Sequence, residues 1–137
     1  MKKRLYLDTS IWLSLAFENE RRLLVQQFLT QKLEEDWICI SSSFAISELV
    51  SIETESPKQW FDYLELIQDI CTEILPLELS VFDKAAKELL SPLLLNQKSI
   101  STAIHLSLIK IGRCDGVASL SPSLRQLSSV TGFNPLI

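Results

Sequence analysis

The sequence predicts a three-layer α/β fold, in which helices cover both faces of a mostly parallel sheet of four to five strands. Short apolar runs alternate with longer segments of helical periodicity, which is typical of parallel strands joined by helical crossovers. No two-residue hairpin signal separates consecutive strands. The chain has 137 residues, 47% of them hydrophobic, so we expect one compact domain over residues 1–137.

The first quarter of the chain contains one strand and two helices. Leu5–Leu7 is the first predicted strand, and one of the residues in Asp8–Ser10 can cap the helix that follows from Ile11. A second helix is predicted from Glu20 to Leu33. Its predicted inner stripe comprises Leu23, Leu24, Gln27, Phe28 and Leu29.

The second quarter repeats this strand-to-helix order. Trp37–Ile40 is the second predicted strand, and Phe44–Val50 begins the next helix. Pro57 suits the first turn of a further helix. The third strand, Ile74–Leu77, contains Pro76, which favours a place at the sheet edge. The stripe of the Pro57 helix comprises Trp60, Leu64, Ile67 and Cys71.

Two helices are predicted in the third quarter of the chain. The first has a capping box over Ser80–Asp83 and ends or kinks at Pro92. The second can be capped by Ser99 or Ser101 and stops at Gly112.

The remaining residues predict a fourth strand, Asp115–Ser119, a short helix, Pro122–Val130, and an edge strand, Phe133–Ile137. Ligands of parallel sheets gather at the carboxyl ends of the strands. The segments where we expect a site are therefore Asp8–Ser10, Ser41–Ser43 and Ser119–Ser123.

Composition excludes several classes of site. All 3 glycines follow residue 111, so no glycine-rich phosphate loop precedes them. His105 is the only histidine, which excludes zinc motifs with two histidines and disfavours a catalytic triad. Cys39, Cys71 and Cys114 are odd in number and widely spaced, which predicts reduced thiols and a cytoplasmic location. Asp8 interrupts the N-terminal apolar run, so neither an export signal nor a membrane segment is expected.

Two carboxylates are predicted to meet at one edge of the sheet. Asp8 ends the first strand, and Glu48 lies about one turn into the helix after the second strand. Two such acids form a minimal site for Mg²⁺ or Mn²⁺. The alternative interpretations are that Asp8 is a helix cap and that Glu48 is a solvated helix residue.

Four segments together resemble the PIN domains, the nuclease fold of virulence-associated protein C type toxins. Leu5–Trp12 resembles the opening strand and first acid of that family, and Ser47–Leu49 resembles the segment of the second acid. Thr102–Ser107 is similar to the family's Asp-Ala-Leu-His-Leu-Ala helix start, and Gly112–Leu124 to its later strand and turn. This resemblance implies a PIN-like fold and a metal-dependent ribonuclease centre built from four acids.

The resemblance also implies that this centre is degenerate. Thr102, or Ser101 if the register slips by one, stands where the family has its third acid, and Ser121 stands at the fourth. The predicted catalytic positions are Asp8, Glu48, Thr102 and Ser121, with Asp8 and Glu48 as the metal ligands. Two carboxylates supply less charge and fewer ligands than four, so Mg²⁺ or Mn²⁺ would be weakly bound or absent.

The resulting hypothesis is a weak or inactive ribonuclease relative that acts by binding a protein or RNA. The alternatives are an active Mg²⁺- or Mn²⁺-dependent endoribonuclease and a structural homodimer module. The resemblance implies an antitoxin-like partner at the first two helices, and exposed aromatic residues would mark a partner or dimer face. A net charge of -4 disfavours a broad RNA footprint, so the basic residues are interpreted as solvated. His105 is interpreted as structural.

Overall fold

The computed structural model describes residues 2–16, 20–53, 56–90 and 99–137, with no side-chain description at residues 52 and 53. The predicted helix stop at Pro92 lies outside these residues. None of the described helices is long and apolar enough to cross a membrane.

Five parallel strands form one sheet in the order β3-β2-β1-β4-β5. This arrangement confirms the predicted three-layer α/β fold. The strands are β1 (Lys3–Leu7), β2 (Trp37–Ser42), β3 (Cys71–Leu75), β4 (Gly116–Ala118) and β5 (Thr131–Phe133). The described helices are α1 (Thr9–Ala16), α2 (Glu20–Glu34), α3 (Ser43–Glu53), α4 (Pro57–Ile70), α5 (Leu79–Leu89), α6 (Ile100–Ile111) and α7 (Pro122–Leu127).

The sheet separates two hydrophobic cores. Successive side chains of a strand point to opposite faces, so Leu5 and Leu7 join one core and Tyr6 joins the other. Helices α1 to α4 cover the first face, and α5 to α7 cover the second. The side chains of Leu5, Tyr6 and Leu7 are fully buried, as expected for a central strand covered on both sides.

The central position of β1 determines where a site can form. The chain runs outward from β1 through β2 to β3 and then returns to β4 on the other side of β1. The strand order therefore reverses between β1 and β4, which creates a crevice at their carboxyl ends. Leu7 is paired with Ala118 at this edge, so Asp8 and Ser119 follow side by side.

Several predicted boundaries are wrong. Strand β3 ends at Leu75, before Pro76, although its predicted edge position is confirmed. The capping box over Ser80–Asp83 does not form, because α5 begins at Leu79, after Glu78, and Asp83 instead pairs with Lys87 at 3.0 Å. Helix α7 stops at Leu127, since the following residue is extended. The final strand is Thr131–Phe133 rather than Phe133–Ile137, and β4 is two residues shorter than predicted.

Two predicted inner stripes are also partly wrong. Helix α2 buries Val25 and Leu29, whereas Leu23 and Leu24 are exposed. In α4, Ile67 is buried as predicted, but Trp60 is exposed. In both helices, packing against the sheet selects a narrower apolar face than the spacing alone indicates.

Candidate functional site

A cavity of about 250 Å³ lies at the carboxyl edge of the sheet. Asp8 reaches it from the end of β1, Glu48 from α3, Thr102 from α6 and Ser121 from the start of α7. The structure thus brings together the four positions selected from the sequence. The remaining lining residues are Thr9, Ser10, Leu13, Ser101, His105 and Leu124.

Asp8 is buried and bonded to hydroxyl groups. Its Oδ1 accepts hydrogen bonds from the backbone N–H and the Oγ–H of Ser10, and its Oδ2 accepts one from Ser119 Oγ at 2.5 Å. The bond from the Ser10 N–H caps the first turn of α1, so the predicted capping role is present. Burial raises the pKa of Asp8, and the opposing effects of His105, Ser10 and Ser119 do not cancel that rise.

We expect the Asp8→Asn variant to be more stable than the wild type at pH 7. Because the folded-state pKa of Asp8 is raised, its ionisation costs folding free energy above the usual aspartate pKa, by about 1.4 kcal/mol per pKa unit. Asparagine avoids that cost while keeping an acceptor for Ser10. The gain should shrink toward about pH 4, where the wild-type carboxyl also becomes protonated. Urea unfolding at both pH values measures the difference.

The matched control for this experiment is Asp83→Asn, which removes an exposed carboxylate on α5. We expect a small effect on stability, since exposed ion pairs contribute little. An Asp8→Asn variant that is less stable than the wild type at pH 7 would contradict the expected cost of the buried charge.

Glu48 is held from three sides. Its Oε1 accepts a hydrogen bond from Thr9 Oγ1 at 2.6 Å and lies 2.8 Å from His105 Nε2, while its Oε2 accepts one from Ser101 Oγ at 2.8 Å. Partial burial by itself raises the pKa of Glu48, but the bonds from His105, Thr9 and Ser101 together lower it below its usual range. Glu48 is therefore not the freely solvated residue of the alternative interpretation.

The two neutral positions of the site lie at helix starts. Thr102 is in the first turn of α6, where its backbone N–H donates to the capping Ser99 Oγ. Ser121 caps α7, because its Oγ accepts from the Leu124 N–H. Ser101, the alternative to Thr102, also lines the cavity and donates to Glu48. Asp115 precedes β4 at the opposite end of the sheet, where it accepts from the Arg4 N–H.

The sequence pattern does not predict which hydroxyl groups donate hydrogen bonds to the two carboxylates. Ser10 and Ser119 belong to the segments predicted to surround a site, but their bonds to Asp8 could not be foreseen from spacing. Thr9 and Ser101 are likewise ordinary helix-start residues in the sequence. The usable signal was that Ser10 and Ser119 lie at or just after the carboxyl ends of predicted strands.

The donor set does not fit a firmly bound divalent ion. An ionised carboxylate has about four acceptor positions. Described groups already fill three positions on Asp8 and three on Glu48. Within the described ranges, no group of three or more His, Cys, Asp or Glu side chains is placed to hold a metal. About one acceptor position remains on each carboxylate, so Mg²⁺ or Mn²⁺ would gain only two charged ligands there.

The sheet order and the likeness to solved structures define the fold, which is that of the PIN domains. The similar solved structures include VapC20 of Mycobacterium tuberculosis, a toxin that cleaves the sarcin-ricin loop. It is 10% identical, with a TM-score of 0.73 over 89% of this chain and 93% of that one. No family model and no curated protein matches the sequence.

Two further similar structures are FitAB bound to an IR36 DNA fragment and FitAcB from Neisseria gonorrhoeae. The first is 17% identical, with a TM-score of 0.70 over 97% of this chain and 96% of that one. The second is 18% identical, with a TM-score of 0.69 over 96% and 98%. At these identities, the likeness is one of fold.

Proposed function

We propose that this chain is a PIN-like protein of the toxin-antitoxin type whose acidic centre is degenerate, and that it acts by binding rather than by efficient RNA cleavage. The observation that carries the proposal is the shared cavity of Asp8, Glu48, Thr102 and Ser121. Two of these four side chains are neutral, and hydrogen bonds already engage both carboxylates. Loss of one stabilising group typically costs two to three decades in rate.

A protein partner is supported by an exposed aromatic pair on α4. Trp60 is 47% exposed and Phe61 is 69% exposed. Large apolar side chains exposed together are typical of interaction sites. Because Asp62 and Glu65 follow on the same exposed helix, a partner segment with apolar and basic side chains would fit. The resemblance also implies an antitoxin-like partner, although it places that partner at the first two helices rather than on α4.

A second candidate function is an active Mg²⁺- or Mn²⁺-dependent endoribonuclease. The convergence of all four positions in one cavity favours it, as does the likeness in fold to VapC20, a toxin that cleaves the sarcin-ricin loop. A homodimer is a further proposal, supported by Leu79 and Leu90, which are 84% and 81% exposed at the two ends of α5.

A cleavage assay on single-stranded RNA with Mn²⁺ separates the two candidate activities. We expect the wild type to cleave no faster than Asp8→Asn, the variant that lacks the central charge. A wild-type rate about tenfold or more above that of Asp8→Asn would overturn the degenerate centre and establish the ribonuclease. Fluorescence anisotropy on the same RNA then tests binding, and salt-sensitive binding would indicate that RNA rather than a protein is the ligand.

A further inference from the structure

A continuous chain of hydrogen bonds, buried from Ser42 to His105, leads to Glu48 from the residue that precedes its own helix. Ser42, directly before α3, lies 2.8 Å from Tyr6 Oη through its Oγ. The same Tyr6 Oη lies 2.7 Å from His105 Nδ1, and His105 Nε2 lies 2.8 Å from Glu48 Oε1. Ser42 and Tyr6 are fully buried, and His105 is nearly so. These hydrogen bonds thus connect β1, α6 and α3, and they begin and end on neighbouring parts of the chain, at Ser42 and Glu48.

Only one arrangement of hydrogens satisfies this chain of hydrogen bonds when Glu48 is ionised and His105 is neutral. A carboxylate only accepts, so His105 Nε2 must carry the hydrogen that it shares with Glu48. In the neutral imidazole, Nδ1 is then an acceptor, and the single hydrogen of Tyr6 Oη must point to it. Tyr6 therefore accepts from Ser42 Oγ–H, and Ser42 accepts from the Ala45 N–H at 3.1 Å.

Aromatic packing holds the imidazole ring in the same orientation. Phe44 and Tyr6 contact it edge-on, with ring centroids 5.0 Å and 5.7 Å from that of His105. Since both ring nitrogens are already bonded to protein groups, His105 has no nitrogen left to act as a base toward a ligand.

We infer that Tyr6 and His105 are positioning residues, which hold Oε1 of Glu48 through the Nε2–H tautomer of His105, while Oε2 keeps its hydrogen bond from Ser101 at the cavity. This inference deepens the proposed function, because Glu48 is one of the two carboxylates through which the centre would act. It accounts for a buried tyrosine and histidine that the four acidic positions of the resemblance do not explain. Partners of this kind fix both the tautomer and the orientation of a functional side chain.

Nitrogen-15 NMR of the labelled protein at neutral pH tests this inference directly. The chain has 1 histidine, so its ring gives a single set of signals. We expect a protonated Nε2 and an unprotonated Nδ1 in the wild type. A protonated Nδ1, or a mixture of tautomers, would overturn the inference. The readout involves neither RNA nor a cation, so a failure of the proposed function would leave this result unchanged, and the reverse also holds.

The Tyr6→Phe variant removes the donor to Nδ1 and keeps the ring. We expect the His105 Nε2–H to exchange with water about fivefold faster, the change that corresponds to loss of one buried hydrogen bond. The chain has 2 tyrosines, and Tyr63→Phe on α4 is the matched control, for which we expect wild-type exchange. Equal exchange in both variants would contradict a positioning role for Tyr6. If Tyr6→Phe does not fold, the tautomer of His105 in the wild type still decides whether the inference holds.

Discussion

The double variant Thr102→Asp, Ser121→Asp is expected to bind Mn²⁺ at about millimolar concentration or below and to cleave RNA about a hundredfold faster than the wild type. Each substitution adds a carboxylate to the cavity that already contains Asp8 and Glu48. Four acids offer twice the charge of two, together with acceptor positions that no described hydroxyl occupies. Isothermal titration with Mn²⁺ and a gel-based cleavage assay measure the two effects.

Both substitutions suit their local backbone. Thr102 lies three residues after the capping Ser99, where an acidic side chain interacts favourably with the start of α6. Ser121 is itself the cap of α7, and aspartate is as good a capping residue as serine. We therefore expect the double variant to fold, although four clustered carboxylates will repel one another until a cation binds.

The control for charge is Thr102→Asn, Ser121→Asn, which adds similar side chains without charge and should gain neither binding nor cleavage. A further Asp8→Asn change in the aspartate background should abolish the gain. A folded aspartate variant that neither binds Mn²⁺ nor cleaves RNA would show that residues 102 and 121 do not correspond to the third and fourth acids of PIN domains.

The parts of the fold that the sequence predicts well are those where local and long-range preferences agree. The run Leu5–Leu7 is apolar on both faces and ends at a polar cap, so it could only suit a buried strand. Helix α6 begins after Ser99 and ends before Gly112, two strong local signals. Strand β5 is different, because Gly132 at its centre has weak strand preference and only pairing with β4 makes it a strand.

The orientation of α2 shows what spacing cannot decide. Its apolar residues occur almost all round the helix, and spacing alone put Leu23 and Leu24 on the inner stripe together with Leu29. In the fold, Val25 is buried beside Leu29, whereas Leu23 and Leu24 are exposed. The site shows the same limit. The order of strands and helices predicts that Asp8 and Glu48 lie close together, but only the three-dimensional structure shows that Ser119 and Ser101 donate hydrogen bonds to them.

The Trp12→Ala variant is expected to lose about 3–5 kcal/mol of stability, a large part of the 5–15 kcal/mol typical of a domain. Trp12 is fully buried among the helices that cover the first face of the sheet. Its Nε1–H donates to Ser41 Oγ at 3.0 Å, and Ser41 in turn donates to the carbonyl oxygen of Leu7 at 2.8 Å. The substitution therefore leaves a large cavity and an unsatisfied buried acceptor.

A matched control is the same change at Trp60, which is 47% exposed on α4. We expect Trp60→Ala to cost about 1 kcal/mol or less, since exposed side chains leave little cavity when they are removed. Urea unfolding followed by far-ultraviolet circular dichroism compares the two variants without relying on tryptophan fluorescence. Equal losses in the two variants would contradict the different burial of these side chains.

Trp12→Phe separates the hydrogen bond from the packing. Phenylalanine keeps an aromatic ring in the core but has no donor for Ser41, so we expect the stability of Trp12→Phe to lie between that of the wild type and that of Trp12→Ala. The bond from Trp12 to Ser41 ties α1, which contains Ser10, to β2, and Ser41 in turn bonds to Leu7 at the end of β1. Asp8 follows Leu7 and enters the cavity from there. Loss of this bond should therefore weaken the hydrogen bonds from Ser10 to Asp8. Because the bond from the Ser10 side chain lowers the pKa of Asp8, we expect that pKa to rise further in Trp12→Phe. An unchanged Asp8 pKa in a destabilised Trp12→Phe would show that Trp12 stabilises the core without positioning the site.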